Sequence, residues 1–394
     1  MIRIVLFAAT RPNLVKVAAL YQAFIADPAF DVQVVYANQH YDEEMSGNLY
    51  RQLGLPAKHI RLLLPKLPGP AQMTALTKQF RQFLESTRPD WVLVTGDVNA
   101  TLAAAQAARQ AGVSLAHVEA GLRSFDTNMP EEHNRIDTDA LADVHFVSES
   151  SGVGHLLREG VPPDNIHLVG NVMIDTLRRM LPAALAMPWP DSLPAAPAPV
   201  LSGQYFTATL HRPSNVDHPE TLRRLLDLLR HLTTLVPVIF PVHPRTAHRL
   251  KEHHLEHELN AVQGLYPTSP LGYLEFVRLM HDSALVITDS GGIQEESTWL
   301  GIPCLTLRAN TERPVTIEVG TNVLAGEASE TRIMEYARAA LAGHWKKGEI
   351  PPLWDGLAAT RIANILKSES LKPVTPKPVT LKPETLKPVT LKPE

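Results

Sequence analysis

The sequence predicts an α/β protein made of two consecutive doubly wound domains facing a cleft. Three observations lead there. Short apolar runs alternate with longer amphipathic segments almost throughout, which implies parallel sheets covered on both faces by helices. The pattern breaks once, between Pro182 and Val200, where prolines at 182, 188, 190, 194, 197 and 199 fit neither helix nor sheet interior. Polar residues also gather just after the apolar runs, at the strand ends where such folds bind ligands.

The first domain spans residues 1–181. Ile2 to Phe7, Val32 to Tyr36, Trp91 to Val94, Leu115 to Val118, Val144 to Val147 and His167 to Val169 read as its strands. Helical patterns lie between most of them, such as Leu14 to Phe24 and Ala100 to Ala111. Residues 182–200 read as the linker. In residues 201–355 the alternation resumes, with strands at Gln204 to Leu210, Val236 to Phe240, Leu285 to Ile287 and Pro303 to Leu307. From Leu371 to Glu394 a five-residue Lys-Pro repeat carries five lysines against two glutamates. Proline in every unit favours extended chain with nothing to bury, so this segment reads as a passive tail outside the fold.

Composition narrows the class. A length of 394 residues suits two or three domains, and 44% apolar with 20% charged residues is ordinary for a globular protein. A net charge of -4 gives no basic footprint for nucleic acid. No apolar run nears the roughly 20 residues of a membrane span, and the N-terminus alternates like a strand rather than a signal peptide. A cytoplasmic protein is expected. Cys304 is the single cysteine, so no internal disulfide can form. No histidine has a metal-like partner pattern, and no metal site is expected.

The chemistry concentrates at strand ends. Thr288-Asp289-Ser290-Gly291-Gly292-Ile293-Gln294-Glu295-Glu296 places a Ser-Gly-Gly turn between a buried strand and a helix over Ile293 to Leu300. Glycines let the backbone approach a ligand, and the helix N-terminus offers unpaired N–H groups to a phosphate. Alone, such a turn is equally an ordinary capped turn. The first domain adds Thr10-Arg11-Pro12-Asn13 with Lys16, Gly96-Asp97, and Glu119 to Arg123. Pro130-Glu131-Glu132-His133-Asn134-Arg135 then opens a helix with Glu131 and Arg135 four apart on one face. Asp97, Glu119 and Glu131 thus share one rim with Arg11, Lys16 and Arg135. Carboxylates crowded among cations do not share one pKa, as separate acid and base roles require. In the second domain, His211-Arg212, His243-Pro244-Arg245 and Arg313 supply cations suited to a diphosphate.

These motifs carry a resemblance. Thr10-Arg11-Pro12, Gly96-Asp97, His117-Val118-Glu119-Ala120-Gly121-Leu122-Arg123, Pro130-Glu131-Glu132-x-Asn134-Arg135, Gly170-Asn171-x-x-Ile174-Asp175, His211-Arg212 and the Thr288 to Glu296 stretch resemble the non-hydrolysing UDP-N-acetylglucosamine 2-epimerases, in the family order. The resemblance implies a glycosyltransferase-B-like fold of two Rossmann-like domains closing on a UDP-sugar. A last helix, Gly356 to Leu366 within residues 356–370, would cross back to the first domain. It also implies a homodimer and a reaction without nicotinamide or metal. UDP-N-acetylglucosamine (UDP-GlcNAc) and UDP-N-acetylmannosamine (UDP-ManNAc) would interconvert through loss and re-addition of UDP. By motif, Asp97, Glu119 and Glu131 would be the acid/base carboxylates. Arg11, Lys16, Arg135 and His211 would stabilise the diphosphate and the transition state. Ser290, Gly291 and Gly292 would hold phosphate oxygens, Glu296 the ribose, Phe276 the uracil region and Arg313 the UDP.

The chain departs from the family in three places. Asn13 and Ser214 stand where Glu is usual. Gln39 and His40 match a regulatory pocket for a second UDP-sugar, but its usual Arg-Gln pair reads Pro70-Ala71 here, so activation is expected to be weak or absent. The competing readings are an epimerase of UDP-2,3-diacetamido-2,3-dideoxyglucuronate, a glycosyltransferase on the same fold, a hydrolysing relative and a silent UDP-sugar binder.

Overall fold

The computed structural model describes residues 1–38, 49–57, 59–64, 67, 69–189 and 204–371. Its first sheet holds β1 (Ile2–Ala8), β2 (Phe30–Asn38), β3 (Ile60–Leu63), β4 (Trp91–Thr95), β5 (Ser114–Val118), β6 (Val144–Val147) and β7 (Ile166–Leu168), all parallel, in the order β3-β2-β1-β4-β5-β6-β7. The second holds β8 (Phe206–Thr209), β9 (Val238–Pro241), β10 (Leu265–Thr268), β11 (Leu285–Thr288), β12 (Cys304–Thr306) and β13 (Asn322–Leu324), again parallel, in the order β10-β9-β8-β11-β12-β13. In each sheet the order reverses at the first strand. A crevice therefore opens above β1 and β4 in one domain and above β8 and β11 in the other.

The continuous apolar runs follow from burial on both sides. On β1, Ile4, Leu6 and Ala8 face a core that includes Leu14, Val17 and Phe24, while Val5 and Phe7 face Phe80 and Leu84 on the opposite side. The expected strands are present with shifted ends. The sequence reading omitted β3, β10 and β13, which are three or four residues long and edge or near-edge strands with mixed exposure. Such runs are too short for a clear period.

The linker begins later than expected. The helix Val172–Ala186 runs through Pro182, so residues 182–186 belong to it, and 190–200 lie outside the described residues. Pro182 is exposed, and the helix gains its hold from the other face, where Ile174, Leu177 and Ala184 are buried with Val277, Val315 and Trp354. Those last three belong to the second half of the chain, so this helix is packed between the two domains. The final helix, Ala358–Glu369, returns to the first domain as the resemblance implied. Ala358, Ala359, Ile362, Ala363 and Leu366 enter the core beside β1, and the carboxylate of Asp175 accepts from the amides of Ala358 and Ala359 at 3.1 and 2.7 Å. Gln39, His40 and the repeat tail beyond Leu371 lie outside the described residues, whereas Pro70 and Ala71 sit in the first turn of the helix Gly69–Thr87.

Candidate active site

Between the two crevices lies a cleft of about 550 Å³, within the range of small-molecule sites. Arg11, Lys16, Asp97 and Glu131 line it from the first domain; His211, Phe276, Ser290, Gly291, Gly292, Glu296 and Arg313 line it from the second. Glu119 and Arg135 stand behind this wall, each bonded to a residue that forms it.

The first-domain wall is assembled by turns at the ends of β1, β4 and β5. Asn13 Oδ1 accepts from the Thr10 amide and hydroxyl at 3.2 and 2.8 Å, which caps the helix Arg11–Ile25. Its Nδ2 donates to the Thr95 carbonyl at 2.9 Å, tying the β1 turn to the β4 turn before Asp97. A glutamate could not donate that bond, so the departure at Asn13 has its own structural use. Lys16 Nζ pairs with Glu119 Oε2, both buried. Glu119 itself has φ of +69°, a left-handed conformation that costs a residue with a side chain about 1–3 kcal/mol and persists only when its surroundings impose it.

Glu131 and Arg135, four apart on one helix, do not pair with each other. Arg135 turns inward instead, to Asp97, to Glu132 at 2.7 Å and to Glu312 of the second domain at 3.4 Å. Glu131 is half exposed on the cleft wall, and its carboxylate lies 3.9 Å from Arg212 across the gap. The difference is one of direction. Arg135 points at a buried ring of carboxylates, where its charge is worth more than in water. Burial alone would raise the Asp97 carboxyl, but Arg135 and Lys16 outweigh it and hold Asp97 below the usual range, as the anion.

On the second domain, Asp289 at the end of β11 is fully buried and collects the amides of His211 and Arg212 and the Asn215 side chain at 2.8–3.0 Å. His211 Nδ1 also lies 3.1 Å from it, which turns the other ring nitrogen away from the carboxylate. The His211 and His243 rings sit 4.7 Å apart, and burial followed by repulsion from His211 pushes His243 down to about 4. Ser290 precedes the helix Gly291–Leu300, whose first N–H groups open on the cleft. Gly291 is glycine for a second reason: a Cβ there would strike the Arg313 guanidinium.

Arg313 is the centre of the charge network. Its guanidinium lies 3.2 Å from Glu119, 2.7 Å from Glu295 and 2.5 Å from Glu312. The approach to Glu295 is close but not aligned as a hydrogen bond, and neither Glu295 oxygen has such a partner. Burial accordingly outweighs the attraction of Arg313 and pushes Glu295 up to about 7. Glu296 is raised to about 7 by burial too, against the Tyr273 hydroxyl that donates to it at 2.9 Å.

Sequence reasoning named Arg313 but missed Glu312, whose carboxylate also binds Arg308 at 2.7 Å. The signal was its place beside Arg313 in Thr311-Glu312-Arg313-Pro314, a position equally suited to solvent. Asp289 stood inside a quoted motif, at a strand end, without an assigned role. Glu149, after β6, gave no signal at all. Burial raises Glu149 to about 7 from 4.5, opposed by the Ser151 hydroxyl, which donates to it at 2.6 Å. The folded chain therefore binds this proton more tightly than the unfolded one. Stability from this group is present below about pH 4.5 and falls as pH rises towards 7. Glu149→Gln should flatten that decline by about 1–3 kcal/mol between pH 5 and 7.5, measured by urea unfolding. An unchanged slope would mean that the carboxyl ionises at no cost.

A family model described as UDP-N-acetylglucosamine 2-epimerase matches residues 22–367. The chain is similar to the UDP-N-acetylglucosamine 2-epimerase of Methanocaldococcus jannaschii, 36% identical over 361 residues, which is 91% of this chain and 96% of the relative. A crystal structure of that organism's UDP-GlcNAc 2-epimerase in complex with UDP-GlcNAc and UDP matches with a TM-score of 0.82 at 34% identity, covering 93% of this chain and 100% of the other. The UDP-2,3-diacetamido-2,3-dideoxy-D-glucuronate 2-epimerase of Pseudomonas aeruginosa is 33% identical over 372 residues, 92% of this chain and 99% of the relative.

Proposed function

The chain belongs to the UDP-N-acetylglucosamine 2-epimerase family, and from that premise we propose that it interconverts UDP-GlcNAc and UDP-ManNAc by elimination and re-addition of UDP. One observation carries the mechanism: carboxylates from one domain and cations with a helix N-terminus from the other converge on a single cleft. A carboxylate takes the C-2 proton, the bond from C-1 to the diphosphate oxygen breaks, and a C-1 to C-2 double bond forms. UDP leaves as the anion, towards Arg11, Lys16, His211, Arg313 and the N–H groups after Ser290. In the return step the diphosphate oxygen re-attacks C-1 and a proton reaches the other face of C-2, so no atom or electron is gained or lost.

Asp97 and Glu131 are the carboxylates that line the cleft from the first domain, and we assign the proton transfers to them. Glu119 is tethered between Lys16 and Arg313 and holds these two cations in place. Turnover in deuterated water should place deuterium at C-2 of both sugars, read by NMR. Full retention of the original hydrogen would sink the elimination. The similarity to the Pseudomonas aeruginosa relative supports a second reading, with UDP-2,3-diacetamido-2,3-dideoxyglucuronate as substrate. Offering both sugar nucleotides in one assay separates the two. A homodimer, a cytoplasmic location and service to polysaccharide biosynthesis belong to the same proposal and rest on the family likeness.

A further inference from the structure

We propose that Asp139 is a positioning residue that fixes Asp97, Glu119 and Glu131 as one unit, a role that rests on the epimerase reading of the cleft. Asp139 lies on the helix Pro130–Leu141, two turns beyond Glu131, and is fully buried away from the cleft wall. Its carboxylate gathers three donors. His117 Nδ1 lies 2.6 Å from one oxygen; the Gly121 amide and Arg123 Nη2 donate to the other at 3.0 and 2.7 Å. Burial opposes the charge, but His117 and Arg123 outweigh it and hold Asp139 down at about 2, as the anion.

Each donor leads to a different part of the site. The opposite nitrogen of His117, Nε2, faces the carbonyl of Gly96 at 3.0 Å, so the ring spans from Asp139 to the peptide that precedes Asp97. Gly121 lies two residues after Glu119, in the turn where both residues have positive φ, and its N–H bond pins that turn. A Cβ at Gly121 would strike the Gly152 carbonyl, so the turn is also confined from behind. Arg123 closes the network by reaching Glu159 at 2.6 Å. The helix that carries Asp139 carries Glu131 and also Arg135, which pairs with Asp97. One carboxylate therefore joins the three segments that bear the three acids. Reacting groups displaced by about 1 Å can lose about 10²-fold in rate, so the network is placed to set turnover without touching substrate.

The test compares wild type, Asp139→Asn, His117→Gln and the double variant, with kcat, KM, UDP affinity by calorimetry and thermal midpoint for each. Wild-type production of UDP-ManNAc from UDP-GlcNAc tests the underlying reading first. An asparagine offers one acceptor oxygen where Asp139 has two, and its amide N–H₂ would face a donor. Asp139→Asn is then expected to lower kcat about 100-fold while KM and UDP affinity stay within about threefold, because His211 and the turn after Ser290 on the other domain keep their hold on the diphosphate while the reacting carboxylates shift. His117→Gln should lower kcat by about 10-fold or more, and the double variant should be no slower than Asp139→Asn, since both act through one link. Near-normal kcat in Asp139→Asn overturns the proposal. So do losses that multiply in the double variant, or a kcat loss matched by lost UDP affinity and thermal midpoint. If Asp139→Asn fails to fold, His117→Gln decides alone, and full kcat there overturns it. A wild type that epimerises neither sugar nucleotide removes the reading and this proposal together.

Discussion

Asp97→Asn and Glu131→Gln are each expected to cut turnover by about two to four orders of magnitude, the usual worth of a placed acid or base. Both substitutions keep shape and remove the ability to accept a proton. They should differ in what else they disturb. Asp97 is paired with Arg135 inside the network, so Asp97→Asn also leaves that guanidinium with only Glu132 and Glu312 as partners. Glu131 is half exposed and its nearest cation is 3.9 Å away, so Glu131→Gln should leave stability within about 0.5 kcal/mol of the parent. Steady-state rates in both directions, with unfolding midpoints, check this. If both variants kept near-normal rates, the proton-transfer assignment would be wrong.

The second large effect concerns Arg313. Its guanidinium neutralises Glu119, Glu295 and Glu312 in a water-poor site, and Arg313→Met would leave three buried carboxylates around an apolar side chain. Breaking a buried pair by removing one partner costs about 3–5 kcal/mol. The expected result is a loss of that order at neutral pH, read from denaturant midpoints with the slope checked for two-state behaviour. The sign with pH follows. Without Arg313, the attraction that opposes the rise of Glu295 and helps hold Glu312 down is lost, so the variant regains stability as pH falls and these carboxyls take up protons. Arg313→Lys restores one charge but not the planar fork that meets three acids, and should recover only part of the loss. A Met variant as stable as its parent, at all pH values, would show that the ring of acids relaxes freely.

Much of the architecture was legible because burial writes itself into composition. Strands such as β4 and β11, covered on both faces, are unbroken apolar runs, and the residues after them are polar because ligands meet strand ends there. The cleft was legible for the same reason: eleven of the thirteen residues assigned a catalytic or substrate-binding role line it, and the other two, Glu119 and Arg135, bond directly to it. What sequence left out was direction. Arg135 could have paired with Glu131 by spacing alone, and only the fold shows it turned towards Asp97 and Glu312. Glu312, Asp139 and Glu149 are buried acids, and nothing in local periodicity marks a charged residue as buried.

The return of the helix Ala358–Glu369 to the first domain has a consequence for synthesis. The last strand of the first sheet ends at Leu168, yet Ile362, Ala363 and Leu366 are part of the core beside β1. At about 5–20 residues per second, roughly 200 further residues take about 10–40 s to emerge. During that interval the nascent first domain presents an apolar face that the helix Ala358–Glu369 later covers. The second domain must fold while its predecessor is still open on one side. A chain cut before Ala358 would keep the strands of both sheets but leave that face of the first domain uncovered.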